Sequence, residues 1–322
     1  MAKVKRLFKS FLRLLLPVVL LLVVAAAAAG VWLVYETSHT AHLGYLVTTE
    51  KYGQLSSRAA QVTEESWPTR DGGVLKGWLL RGSPNLPAIL LLHKYGADRS
   101  HVLNLGVKLS EATNFTVLMP DQRAHGVDAA TQFTTFGGKE SEDAMAAIDY
   151  LKTLKSPEQF QLVGGGFGVY GKELGAIAAL TAAGSNPEIK AIALDSVPAD
   201  SDALLAYTIG KRFPFASIVT EKLGQIGTYG YFYDGSYNRT TMCDVARGVA
   251  DRRLLLLAGA DAPAFQESTS KLSKCFPNST RMDSDTDLKP SGMGILNASI
   301  ETSEAYDQRI IDFFRNSLTP AM

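Results

Sequence analysis

Histidine is scarce in this sequence: the only five are His39, His42, His93, His101 and His125, so no imidazole lies beyond residue 125. Any chemistry that needs a histidine base late in the chain is therefore excluded. Cysteine is scarcer still, with Cys243 and Cys275 alone, too few for a cysteine-built metal centre or a disulfide framework. No cluster has the spacing of metal ligands, and the reading expects neither metal nor cofactor. An excess of either charge is also missing, since Lys+Arg and Asp+Glu both number 32, which removes the electrostatic footprint of a nucleic-acid binder. There is no internal repeat, and no low-complexity tract apart from the run Ala25 to Ala29.

A long apolar run is present. Lys3, Lys5, Arg6, Lys9 and Arg13 precede an uncharged stretch from Leu14 to Tyr35. As a helix it rises about 33 Å, enough for a hydrocarbon core of about 30 Å. The spacing predicts a basic cytoplasmic tail over 1–13, a transmembrane anchor over 14–35 with the lipid bilayer as its partner, and a globular domain on the extracytoplasmic side. A cleaved signal peptide is the competing reading. Its apolar core runs about 7–15 residues, whereas this stretch continues past the alanines through Val31-Trp32-Leu33-Val34. The anchor is expected as one continuous helix unpacked against the rest. An exported domain admits a Cys243–Cys275 disulfide, and two buried free thiols remain the alternative.

Residues 36–66 read as a polar stalk, followed by one domain over 67–320. It opens on a hairpin, Trp67-Pro-Thr-Arg and Val74 to Leu80 around Asp71-Gly72-Gly73. Buried-strand patterns at Ala88–Leu92, Thr116–Met119, Phe167–Tyr170, Ile189–Leu194 and Leu254–Leu257 then alternate with helical ones at Val102–Glu111, Ser141–Leu154 and Ser303–Leu318. Such alternation predicts an α/β fold with a mostly parallel sheet covered by helices on both faces.

Gly171-Lys172-Glu173-Leu174-Gly175 has the frame of a nucleophile turn, G-x-S-x-G, with a carboxylate where the hydroxyl belongs. Around it, Leu90-Leu91-Leu92-His93-Lys94-Tyr95-Gly96, Asp121-Gln122-Arg123-Ala124-His125-Gly126, the acidic pair Glu140 and Asp143, and Ala193-Leu194-Asp195-Ser196 follow in order. Together with the opening hairpin, these motifs make residues 67 to 318 resemble the α/β-hydrolase superfamily, in its serine hydrolase and esterase-like branch. The resemblance implies an α/β-hydrolase fold with a small cap, here over 199–245. It also implies that the Tyr95 and Leu174 N–H groups form the oxyanion hole, and that His93, Asp121, Arg123, His125, Gly171 and Gly175 are structural turn residues. Glu173 stands at the nucleophile position, and Asp261 lies near the acid position. The late histidine is expected near Met282–Lys289, a stretch that reads MDSDTDLK.

Serine hydrolysis needs a hydroxyl, an imidazole and an orienting acid. Two of the three are missing, so the expected function is a non-catalytic binding or scaffold role in a hydrolase-like protein. The alternative is an active hydrolase of ester or related bonds centred on Glu173, and a third reading makes the elbow frame coincidental. Lys94 replaces a glycine in the turn facing the elbow, and an ion pair with Glu173 is expected to fill the former site. Gly166-x-Gly168-x-x-Gly171 also satisfies a dinucleotide fingerprint, but it lies in mid-sheet order where that motif has little meaning. The cap carries Tyr207, Phe213, Phe215, Tyr229, Tyr231, Phe232, Tyr233 and Tyr237. These either line a site for a small apolar ligand or protein partner, or only seal the cap.

Overall fold

The computed structural model describes residues 2–40, 44–49, 51, 61–127, 129, 131–215 and 217–319. Parts of the expected stalk, at 41–43, 50 and 52–60, lie outside the described residues. By its contacts the chain divides into two compact units, Met1–Ser38 with Leu205–Ser236, and His39–Leu204 with Tyr237–Met322.

The larger unit is built on an eight-stranded sheet in the order β1-β2-β4-β3-β5-β6-β7-β8. The hairpin β1 (Val62–Pro68) and β2 (Val74–Leu80) is antiparallel, and β2 joins β4 (Thr116–Pro120) antiparallel as well. From there β3 (Leu86–Leu92), β5 (Val163–Lys172), β6 (Ile189–Asp195), β7 (Arg253–Gly259) and β8 (Arg281–Leu288) run parallel. The central strands are apolar throughout because helices cover both faces: Ala88 to Leu92 of β3 and Leu254 to Leu257 of β7 are all buried. One face carries α2 (Leu103–Thr113) and α9 (Ile300–Leu318). The other carries α3 (Gly138–Thr153), α4 (Leu174–Ser185), α7 (Met242–Arg247) and α8 (Pro263–Leu272).

One strand departs from the sequence reading. The stretch expected to follow the last strand is itself that strand, β8, so the histidine position falls in the loop Lys289–Gly294 behind it. Edge strands tolerate polar side chains on their solvent faces, which is why RMDSDTDL carries no apolar pattern. The loop behind it likewise holds no histidine. Cys243, in α7, and Cys275, just past α8, are joined as a disulfide with their Cα atoms 5.3 Å apart.

The smaller unit holds α1 (Ala2–Ser38) and α6 (Ser217–Tyr231), and takes in α5 (Ser201–Arg212) from Leu205 onward. α1 runs unbroken through Pro17, and its stretch Leu15–Ser38 is long and apolar enough to cross a membrane. The sequence reading expected this helix to be unpacked, but it packs on α6. Gly30 meets α6 so closely that a Cβ added there would lie 2.4 Å from the Leu223 carbonyl, and one added at Gly227 would lie 2.1 Å from the Gly30 carbonyl. A pattern of small residues on two separate helices gives no sign in one dimension that they face each other. The cap segment expected over 199–245 is thus divided, with Leu205–Ser236 belonging to the same compact unit as α1.

Candidate active site

The elbow forms where the glycine frame placed it. β5 ends at Lys172, α4 begins at Leu174, and Glu173 sits between them with φ 52° and ψ −105°, on the side of backbone space that favours glycine. Its N–H donates to the Asp195 carbonyl at 3.0 Å, and its own carbonyl accepts from Ala176 and Ile177, which begins the helix. The two flanking glycines are steric requirements: a Cβ on Gly171 would meet the Gly175 carbonyl oxygen at 2.1 Å, and one on Gly175 would meet the Leu92 oxygen at 2.4 Å. The elbow therefore lies directly against the end of β3, where the oxyanion turn starts.

Glu173 is buried, and its side chain crosses to that turn. The Tyr95 N–H donates to Glu173 Oε2 at 2.8 Å. That distance is the one at which an oxyanion-hole donor holds the developing charge of an acyl-transfer transition state. A serine hydroxyl would stop at the elbow tip, whereas a glutamate carries its carboxylate two bonds further, to the Tyr95 amide. Leu174, the other expected donor residue, opens α4 and is fully buried.

The expected Lys94–Glu173 ion pair is not formed. The Lys94 ammonium instead donates to the Met293 carbonyl at 3.3 Å, and among the described residues no ion pair involves Lys94. The physical reason is that the Tyr95 amide already serves the Glu173 carboxylate, while the loop behind β8 presents a carbonyl within reach of Lys94. Lys172 does the same from the elbow: its buried ammonium donates to the Gly292 carbonyl at 2.8 Å. Two lysines thus hold the loop in which a triad histidine would sit.

Asp261, expected near the acid position, is engaged by hydrogen bonds. Asp261, just beyond β7, accepts from the Ser291 N–H at 2.8 Å through Oδ1 and from the Ser291 hydroxyl at 3.0 Å through Oδ2. This carboxylate thus reaches the loop behind β8 and meets a hydroxyl there. Sequence reading missed the group beside it. Asp195, at the end of β6 and fully buried, accepts from the Ser196 hydroxyl at 2.6 Å, the Tyr306 hydroxyl at 2.6 Å and the Gly292 N–H at 2.9 Å. The Tyr170 hydroxyl lies 2.9 Å from that of Tyr306. Burial pushes the Asp195 carboxyl up, and it pushes the neighbouring Lys172 down to about 8, opposed there by the attraction of Asp195. The acidic strand end was the one signal available in the sequence, but its partners come from α9 and the loop behind β8, far along the chain.

The turn residues brace loops. His93 Nδ1 lies 2.8 Å from the Lys94 carbonyl and so carries the proton, while Nε2 accepts from the Gln122 N–H at 3.0 Å. Burial, with His125 nearby, pushes His93 down to about 3, so it is neutral. His125 Nε2 accepts from the Gly96 N–H at 3.0 Å, and its Nδ1 lies by the Arg123 carbonyl. Both imidazoles thus engage the backbone through both ring nitrogens. Arg123 grips Asp143 with two bonds at 2.6 and 2.7 Å and Asp71 with another at 3.0 Å. Asp121 accepts from the Arg99 N–H at 2.8 Å and the Tyr45 hydroxyl at 3.0 Å. Glu140 receives the Thr134 and Thr135 hydroxyls and the N–H groups of Thr135 and Gly137. Among the described residues no group of three or more His, Cys, Asp or Glu side chains is placed to hold a metal. The glycines of the apparent dinucleotide fingerprint lie within β5, with Gly168 packed on Phe314.

Comparison with solved structures gives the fold its name. The Pyrococcus furiosus esterase Pf2001 superposes with a TM-score of 0.61 at 19% identity, covering 87% of this chain and all of that one. The α/β hydrolase GrgF from a Penicillium species gives 0.58 at 14% identity over 80% of this chain and 99% of its own. A dienelactone hydrolase from Anabaena variabilis gives 0.55 at 16% identity over the same shares. The chain has the α/β-hydrolase fold. No family model matches it. By sequence it is similar to thiohydrolase apmlB of Arthrinium phaeospermum, 33% identical over 130 residues, which span 38% of this chain and only 39% of that relative.

Proposed function

We propose that this protein is a membrane-anchored α/β-hydrolase-fold protein that binds or scaffolds without turning over substrate. The observation that carries the reading is the 2.8 Å bond from the Tyr95 N–H to Glu173 Oε2. The amide that would stabilise an oxyanion is committed to the side chain that replaced the nucleophile. Ser291 facing Asp261 where an imidazole would stand supports the same conclusion, because no base is then oriented toward the elbow. Anchoring rests on the apolar stretch Leu15–Ser38, and an extracytoplasmic setting rests on the Cys243–Cys275 disulfide.

A rival reading, hydrolysis of ester or related bonds with Glu173 as carboxylate nucleophile, draws on one feature of the site and one relative. Lys172, buried beside Glu173 and pushed down to about 8, is neutral in a fraction of molecules near neutral pH and could then accept a proton. The relative named a thiohydrolase makes thioesters the substrates to try.

Full-length protein in detergent should be offered p-nitrophenyl esters, acyl thioesters and a fluorophosphonate probe. Rates and labelling are expected to equal those of a Glu173→Ala variant. Turnover that disappears in Glu173→Ala, with heavy oxygen from water appearing in the Glu173 carboxylate, would establish the rival. Labelling lost with one particular serine would place the chemistry away from the elbow.

A further inference from the structure

Helix α6 exposes an apolar face that the fold itself does not explain. Ile218 is 77% exposed, Val219 59%, Ile226 60% and Tyr229 69%, while Phe215 just before the helix is 89% exposed and Tyr233 just after it 88%. At 100° per residue the four helical positions fall in one sector of about a quarter turn or slightly more. One charged residue, Lys222, lies within that sector; it is exposed, and its ammonium reaches Gln225 at 3.1 Å. The opposite side holds Gly224, Gly227 and Thr228, all buried. Water-facing helices place polar residues outward; this one places all but Lys222 inward or at the flank.

Its depth is set by what it packs on. Gly227 and Gly30 approach backbone to backbone, a Cβ on Gly230 would lie 3.1 Å from the Val31 side chain, and Tyr231 lies with its ring 6.4 Å from that of Tyr35. Arg212 pairs with Glu36 at 2.9 Å, and the Phe213 ring sits 5.7 Å from that of Trp32. All of these partners lie at the outer end of the apolar stretch, where Trp32 and Tyr35 remain about half exposed. Packed helices keep axes about 8–10 Å apart. A segment held that close to residues 30–36 shares their position along the bilayer normal.

We infer that α6 is a lipid-contacting element, lying in the outer interface of the membrane that α1 crosses, with Ile218, Val219, Ile226 and Tyr229 toward the acyl chains. This rests on the anchor reading and adds to it: the attachment is a two-helix device instead of a single tether. Aromatic residues cluster where an interfacial belt belongs, as Trp32, Tyr35, Phe213, Phe215, Tyr229, Tyr231 and Tyr233. Lys222 on the apolar face extends its stem along the helix and its ammonium to the headgroup phosphates. Small residues at the α1–α6 contact suit a lipid setting, where close backbone packing replaces the hydrophobic drive between helices. α1 exposes apolar side chains as well, from Leu15 to Val24 and again at Trp32 and Tyr35, so both helices offer lipid an apolar surface.

The test uses full-length protein in vesicles of neutral and anionic phospholipid. Ile218→Cys, Ile226→Cys and, separately, Leu20→Cys are labelled with bimane; the two native cysteines are bonded to each other. Lipid carrying a nitroxide near the headgroup should extinguish most of the fluorescence at 218 and 226, while aqueous iodide should have little effect. Leu20 should respond to nitroxide placed deeper. If Leu20 responds but 218 and 226 are quenched by iodide alone, α6 lies in water and the inference fails while the anchor stands. If Leu20 responds and 218 and 226 are shielded from both quenchers, protein covers the face, a second copy included, and the inference fails again. A Leu20 label indifferent to nitroxide lipid removes the anchor reading and this one with it.

Discussion

Glu173 holds a strained backbone position that hydrolases reserve for a nucleophile, and its carboxylate spends that position on bonding an amide. A glutamate at φ 52° has no intrinsic reason to stay there; the contacts of Gly171 and Gly175 with their surroundings leave the turn no other path. Nearby, His93 makes a residue-level prediction about pH. Its folded value is about 3 against an ordinary 6.5, so between those limits the unfolded chain binds a proton that the folded chain does not. Stability therefore rises with pH across that window and is lost as pH falls, by at most about 5 kcal/mol. Asp121, pushed up to about 6 by burial, works in the opposite direction below that value. Comparison with His93→Gln cancels the Asp121 contribution. The urea midpoint of the variant should depend less steeply on pH between about 3 and 6.5; parallel profiles would mean His93 is charged in the folded protein.

At the scale of elements, the histidine loop is held from three sides, by Lys94 from the oxyanion turn, Lys172 from the elbow and Asp261 from β7. Three polar side chains from separate elements thus fix one loop. The disulfide performs a different task, fastening the short helix α7 to the end of α8 across a sequence separation of 32. A helix of six residues cannot hold itself in water. Replacing both cysteines by alanine is expected to cost about 3–4 kcal/mol by the chain-entropy argument. The measurement is urea unfolding of parent and double variant with and without dithiothreitol. The reductant should bring the parent to the level of the variant and leave the variant unmoved; a parent indifferent to reductant would show that the bond does not contribute.

The whole molecule is two compact units on one chain. On the anchor reading, alkaline carbonate should strip peripheral proteins from membranes and leave full-length protein in the pellet. Recovery of the intact chain in the wash would reject a spanning helix; recovery of a chain shortened by its apolar segment would instead mark a cleaved signal.

The sequence by itself determined the order of the inner strands. Apolar runs at β3, β5, β6 and β7 can only be buried strands, and the glycines at 171 and 175 can only mark a crowded turn, because both are local consequences of packing and sterics. The absence of serine at 173 and of any histidine after 125 was equally plain, since absences need no coordinates. Tertiary structure alone decided what each charged group faces. Lys94 and Glu173 have opposite charges and neighbouring turns, yet they take separate backbone partners because a nearby N–H and a nearby carbonyl were closer to hand. Asp195 and Tyr306 are 111 positions apart and share one bond. β8 went unrecognised because an edge strand needs no apolar alternation. The seat of α6 on α1 depends on two glycines from distant segments, a match that only the folded chain brings together.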